Sequence, residues 1–447
     1  MSPSPLHSTA IRPYGNHEAR PGPDTAYGIV CVGFGVTALS IAIALREVEA
    51  DSPILFLERG LRDQWQRYSP IPFSYMQTSF LQDLTTQRNP LSKFTLTNYL
   101  HETGQLLTFL NHSRLTPSTA VIKGYLDWSA SHFDDWVCYG KNVLAVEPIQ
   151  DVSGVVGGWK VLIRDIKTTK IYSVRARKVI LAIGAQPCIP TALSTPEVET
   201  HVVHCSRYME FISDFPDHPP EALNVAIVGQ NEEAAKIFKH IQSLHLNYRA
   251  TLFISTSALR PKETNPFIAS LVESPNTLLP HRFPLELRQR RLLAGHAQPT
   301  ETVDLALIEQ LYEEQASLHE HANCPVKRHQ IVALHELVNA APDGTGRVNL
   351  TFRDARTGNE MQHEEPFDLV VSASKYERSE WKQLVKSLQE LQQDRDNPRI
   401  DKEYRIEFRR RMVEAGVGVW VVGGFEGGSD RSVVGRSSSL SWRQRVC

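Results

Sequence analysis

Apolar residues along the chain fall into short β-branched runs set between longer mixed segments. Tyr27-Gly-Ile-Val-Cys-Val-Gly33 is such a run and ends on glycine, the pattern of a buried parallel strand. The alanine-rich stretch from Thr37 to Glu49 predicts a helix, and Pro53–Glu58 predicts a second strand. Together they make a β-α-β unit of about 30 residues. Residues 60–135 carry no clear period apart from an aromatic-rich helix near Tyr125–Phe133. Strand patterns return at Val143–Val146, Trp159–Arg164 and Lys178–Ile183. After a crossover through 184–220, the order repeats with a strand at Asn224–Gly229, a helix from Glu232 to Leu244 and a strand at Ala250–Ile254. Residues 259–320 are rich in Pro and Leu and then helical. Further strands are predicted at Ile331–Leu334, Arg347–Phe352, Phe367–Ala373 and Val417–Gly424. The charged stretch 390–410 reads as an exposed insertion, and residues after 430 become rich in Ser and Arg.

A second β-α-β unit placed between parts of the first predicts an α/β fold with two Rossmann-like dinucleotide-binding domains. The expected divisions are a disordered leader at 1–24, a first nucleotide domain at 25–190 and a second at 191–365. Residues 366–430 are expected to return to the first domain and cover the substrate, with a tail at 431–447.

Composition narrows the function classes. The chain has 447 residues, 48 basic and 50 acidic, for a formal net charge of −2, and no basic stripe suited to nucleic acid. No apolar run has the length of a membrane span. Cys31, Cys138, Cys188, Cys205, Cys324 and Cys447 form no C-x-x-C pair, and the histidines share no ligand spacing, so no metal is expected. The cysteines read as reduced thiols, which predicts a cytoplasmic location.

Gly33-Phe-Gly35-Val-Thr-Ala38 fits G-x-G-x-x-G/A. The first glycine allows the tight turn, the second lets backbone approach a pyrophosphate, and Ala38 lets helix and strand pack closely. The free N–H groups of the helix start then face the phosphates. Glu58, with Arg59 beside it, ends the next strand 23 residues after Gly35, where a carboxylate accepts from ribose hydroxyls.

A more specific signature follows. Trp65, Met76-Gln77-Thr-Ser-Phe-Leu-Gln82-Asp83-Leu, Arg88-Asn-Pro90, Ser92-Lys-Phe94 and Asn98-Tyr-Leu100 resemble the ornithine and lysine N-hydroxylating monooxygenases of siderophore biosynthesis. Tyr139-Gly140, Ala182-x-Gly184 and Ser257-Ala-Leu-Arg-Pro261 extend the resemblance, which covers about residues 27–380. It implies an FAD domain, an NADPH domain and a small helical substrate region. It also implies chemistry in which NADPH, FAD and O2 deliver one oxygen atom to a side-chain amine. By the same resemblance, Trp65, Met76, Gln77 and Asp83 surround the flavin ring and ribityl chain, and the backbone of Val143 meets the adenine. The family commonly forms homo-oligomers.

Several positions depart from the family pattern. The second motif, G-x-G-Q-S-A in the family, is Gly229-Gln-Asn231-Glu232-Glu233-Ala234 here. Asn231 should crowd the pyrophosphate, and two carboxylates at the helix start should repel it. Ser255 stands where the family has the arginine that meets the 2′-phosphate, and Lys375 replaces a glycine. These changes predict a degenerate site with weakened or lost use of NADPH. At the substrate, Gln82 replaces the lysine that pairs with the amino-acid carboxylate, and Ala269, near Phe267, replaces an asparagine. A neutral natural-product intermediate is therefore expected as the small-molecule substrate, with O2 as co-substrate. Two further readings stay open: a flavoenzyme reduced by its own substrate (an oxidase, desaturase or redox-neutral catalyst), and a non-catalytic flavin-binding protein.

Overall fold

The computed structural model describes residues 24–62, 71, 79–112, 115–215, 222–244, 247–262, 301–320, 329–374, 376–377, 379–392, 398–401 and 403–422. The expected leader through residue 23 and the tail at 431–447 lie outside the described residues. So do Trp65, Met76, Gln77, Phe267, Ala269 and Lys375.

The chain opens with β1 (Ala26–Val32), α1 (Val36–Glu47) and β2 (Ile54–Glu58), the expected first unit. Every residue of α1 from Ala38 to Leu45 is buried. A helix apolar on all sides needs cover on all sides. One face of α1 lies on the sheet, and the other meets the helical layer of α2 (Leu96–Glu102), α3 (Leu106–Asn111) and α4 (Thr119–Ser131) in one core cluster. The expected helix at Tyr125–Phe133 is thus the second half of α4. Ser118 caps α4 by accepting from the Val121 N–H at 3.3 Å.

Next come β3 (Val137–Tyr139), β4 (Lys141–Gln150), β5 (Val156–Asp165), β6 (Ile171–Leu181) and the two-residue β7 (Gln186–Pro187). β1 lies between β2 and β6, parallel to both, while β4, β5 and β6 form an antiparallel meander on the far side. β1 is therefore the central strand, with its neighbours reached in opposite directions.

The second layer system repeats this plan. β8 (Val202–His204), α5 (Tyr208–Ile212), β9 (Leu223–Val228), α6 (Glu232–Gln242) and β10 (Tyr248–Phe253) lead to the short β11 (Arg260–Pro261) and β12 (Thr302–Val303). α7 (Leu305–Glu320), β13 (His329–Val332), β14 (His335–Pro342), β15 (Val348–Asp354), β16 (Glu360–Gln362), β17 (Leu369–Ser372) and β18 (Tyr376–Glu377) follow. The parallel sheet has the order β13-β10-β9-β17-β8, with β9 at its centre. α6 buries Ala234, Ala235, Ile237, Phe238 and Ile241, a helical stripe, and presents its charges on the opposite side. β14, β15 and β16 form a separate antiparallel sheet.

Two expectations change here. The return to the first domain, expected at 366, comes later, because Leu369–Ser372 pairs with β9 and β8 in the second sheet. The chain rejoins the first sheet through α8 (Glu380–Leu384) and β19 (Gly418–Val421), which lies parallel to the second half of β6. The described residues of the charged stretch 390–410 are also no exposed insertion. Leu391, Tyr404 and Ile406 are buried, and Ile406 takes the Val419 carbonyl at 2.8 Å. Its charges flank apolar positions that close the core beneath β19.

Burial holds the imidazoles of His204 and His240 below the ordinary histidine value. His240 Nδ1 lies 2.8 Å from the Tyr208 hydroxyl. The folded state thus favours neutral imidazole. The associated stability is present above the unfolded value of about 6.5 and is lost as pH falls below it. Thermal unfolding is expected at lower temperature at pH 5.5 than at pH 7.5. His240→Gln should reduce that difference, and an unchanged difference would refute the assignment.

Candidate functional site: two glycine turns compared

Each sheet carries a glycine turn at the carboxyl end of its central strand, the place where open α/β sheets bind ligands. In the first, Gly33 has φ +90, and a Cβ there would sit 2.6 Å from the Ala182 carbonyl oxygen. Only glycine fits between β1 and the end of β6. Phe34, the next residue, is fully buried and packs edge-on against Phe56, with ring centroids 5.3 Å apart. Gly35 is the residue before α1, and among the described residues a Cβ there would meet no atom within 4 Å. Among the described residues no side chain caps α1, and no acid occupies its first turn. The N–H groups of a helix start carry positive potential and lack intrahelical partners. Ala38 is fully buried in the core cluster that also holds Cys31 of β1.

Glu58 closes this turn. Its carboxylate accepts from the Phe34 N–H at 2.7 Å and from the Gly60 N–H at 2.7 Å. It is held at the mouth of the turn, and a carboxylate has lone pairs beyond those two bonds. Arg59 is exposed, donates to Gln186 at 3.3 Å and lies 3.7 Å from Glu380. Val143 pairs with Ile163 beside a bulge in β4, and its side chain joins Leu57 and Cys138 in the core.

Asp83 is buried and is held by its own loop. One carboxylate oxygen accepts from the Thr85 and Thr86 N–H groups at 2.9 and 2.6 Å. The other accepts from the Thr86 hydroxyl at 2.8 Å and the Leu96 N–H at 2.7 Å. Asp83 therefore folds its own loop onto the start of α2. Gln82, one residue earlier and half-buried, anchors its N–H on the Ser79 carbonyl at 2.9 Å.

The second turn repeats the backbone and changes the chemistry. Gly229 has φ +148, and its Cβ would lie 2.6 Å from the Ala373 carbonyl oxygen, the counterpart of Ala182. At the position of Gly35 stands Asn231. Its Oδ1 accepts from the Ala234 N–H at 2.9 Å, and its Nδ2 donates to the Ala373 carbonyl at 2.9 Å. Glu232 and Glu233 lie in the first turn of α6. The expectation for Glu232 is corrected: it pairs with Lys236 at 3.1 Å and accepts from the Asp304 N–H at 2.7 Å, so its charge is compensated. Glu233 is exposed. Ser255, just past β10, donates to Gln230 Oε1 at 2.9 Å. That oxygen also accepts from the Thr256 N–H and hydroxyl, each at 3.1 Å, and Gln230 Nε2 donates to Glu301 at 3.1 Å. Gln230, Thr256 and Glu301 were not singled out from the sequence. The hint was Gln230 itself, in the glycine turn, but its partners lie far along the chain.

A sequence model of the L-lysine 6-monooxygenase/L-ornithine 5-monooxygenase family matches residues 25–378. The chain belongs to this family. It is 32% identical to an L-ornithine N(5)-monooxygenase of Ajellomyces capsulatus over 408 residues, covering 89% of this chain and 85% of the relative. Its fold matches the reduced form of an ornithine hydroxylase from Pseudomonas aeruginosa with a TM-score of 0.82 and 27% identity, over 94% of this chain and 97% of that one. An ornithine N-hydroxylase from Kutzneria sp. 744, solved with reduced FAD, NADP+ and L-ornithine, shares the fold at a TM-score of 0.81 and 24% identity, over 94% and 98% of the two chains. Membership in this family makes the protein a flavin-dependent amine N-hydroxylating monooxygenase. Among the described residues, no helix is long and apolar enough to cross a membrane, and no cluster of His, Cys, Asp and Glu could hold a metal ion.

Proposed function

We propose that the protein binds FAD at the first glycine turn and N-hydroxylates a neutral amine-bearing intermediate rather than free ornithine or lysine. The observation that carries the FAD assignment is the open, uncapped start of α1 behind Gly35, with Glu58 at its mouth. These residues fit a dinucleotide: phosphate meets N–H donors, and ribose hydroxyls meet a carboxylate. Bound there, FAD supplies the redox chemistry, and the chain orients it and shields it from water. The balanced reaction takes an amine, O2, NADPH and a proton to a hydroxylamine, water and NADP+, with NADPH acting as a weakly held reductant rather than a resident nucleotide.

Gln82 supports the substrate reading. A carboxamide offers a carboxylate no charge, whereas the lysine of the family does. The experiment is a panel of ornithine, lysine and amines with a masked or absent carboxylate, read by mass spectrometry for hydroxylamine. Hydroxylation of the masked amines, with ornithine gaining turnover only in Gln82→Lys, is the expected outcome. Faster turnover of free ornithine by the unaltered protein would overturn the substrate reading.

The Asn231 bridge favours one second reading, in which the substrate itself reduces the flavin and O2 leaves as hydrogen peroxide. Peroxide equal to the substrate consumed, with no hydroxylamine, would establish it.

A further inference from the structure

The two turns share their strand order, their left-handed glycine and the approach of that glycine to a carbonyl of the neighbouring strand end. They differ at one decisive position. Among the described residues nothing lies within 4 Å of a Cβ at Gly35, while at the equivalent position the Asn231 side chain bridges to the Ala373 carbonyl. We propose that Asn231 is a latch that closes the second nucleotide crevice, so that this chain's own carboxamide takes the place of a pyrophosphate. The proposal rests on the family reading of the second sheet as a dinucleotide domain.

Asn231 satisfies what a pyrophosphate would otherwise satisfy. Its oxygen takes the Ala234 N–H, one of the donors a helix start offers to an anion. Its nitrogen ties the β9–α6 turn to the end of β17, across the crevice between those strands. A dinucleotide entering there must break both bonds and expel the side chain. Gln230 tightens the same turn from the other side. It accepts from Ser255 and twice from Thr256, and it donates to Glu301. That network covers the end of β10, where the adenosine ribose lies in a Rossmann domain. The residues present therefore do not fit a dinucleotide in this conformation.

Asn231→Gly is a mild change for the fold. Glycine at the residue before a helix is nearly as well tolerated as asparagine. Asn231→Ser is a second variant, because its hydroxyl still caps the helix but is one atom too short to bridge to Ala373. NADP+ binding to the FAD-loaded protein, measured by calorimetry, is the readout. It requires no turnover and no knowledge of the substrate. Binding at least ten-fold tighter in Asn231→Gly, with a smaller gain in Asn231→Ser, is expected. Faster anaerobic bleaching of the flavin by NADPH should accompany it. Unchanged or weaker NADP+ binding in both variants would overturn the latch, because Asn231 would then be neutral or a ligand contact. If the protein took up no FAD, the proposed function would fail instead, and that outcome is read separately from flavin absorbance.

Discussion

Gly35→Ala should leave the apoprotein folded yet weaken FAD binding at least ten-fold, whereas Gly33→Ala should damage the fold itself. The two glycines are two residues apart, but their surroundings are opposite. A methyl at Gly33 would lie 2.6 Å from a backbone oxygen and 3.0 Å from its carbonyl carbon, at φ +90. The conformation alone costs an L-residue about 1–2 kcal/mol. The clash with backbone that cannot rotate away adds to it and forces β1 from β6. Flavin loss in Gly33→Ala should therefore come with a lower melting temperature. At Gly35 the backbone has φ −77, which any residue adopts, and among the described residues the methyl meets nothing within 4 Å. It would stand only where a phosphate approaches the N–H groups of α1. A ten-fold loss is about 1.4 kcal/mol. Flavin absorbance and thermal melts on the two variants separate the cases. Equal melting losses in both would refute the open-space reading of Gly35.

Asp83→Asn should destabilise the protein by about 2–3 kcal/mol, because it turns an acceptor toward donors. The native carboxylate receives three backbone N–H groups and one hydroxyl. An asparagine amide presents its NH2 to one of those pairs, leaving buried donors facing a donor. The loop 83–96 positions the start of α2, so flavin retention should fall along with stability. Denaturant unfolding of the apoprotein measures the first effect free of the second. A change below about 0.5 kcal/mol, the range of ordinary surface substitutions, would show that the network is dispensable.

Much of the fold is legible in the sequence. The first β-α-β unit announces itself because a buried parallel strand is a continuous apolar run and its turn requires glycine. The second unit follows the same rule. What escaped reading depends on distant partners. Asn231 was expected to obstruct a pyrophosphate, but its bond to Ala373 joins residues 142 apart. Glu232 looked like a repulsive charge until Lys236 and the Asp304 N–H met it. The resemblance places Asp83 near the flavin but does not show that both of its oxygens accept from residues 85, 86 and 96. The stretch 390–410 looked exposed because charges dominate its composition. Yet Tyr404 and Ile406 alternate with them and point inward.

The central claim is an open first site beside a latched second one. Equilibrium titration of the apoprotein with FAD, and of the FAD-loaded protein with NADP+, tests it most directly. One FAD per chain, bound tightly, with NADP+ at least a hundred-fold weaker, is the predicted result. Failure to bind FAD, or NADP+ binding as tight as FAD, would contradict it.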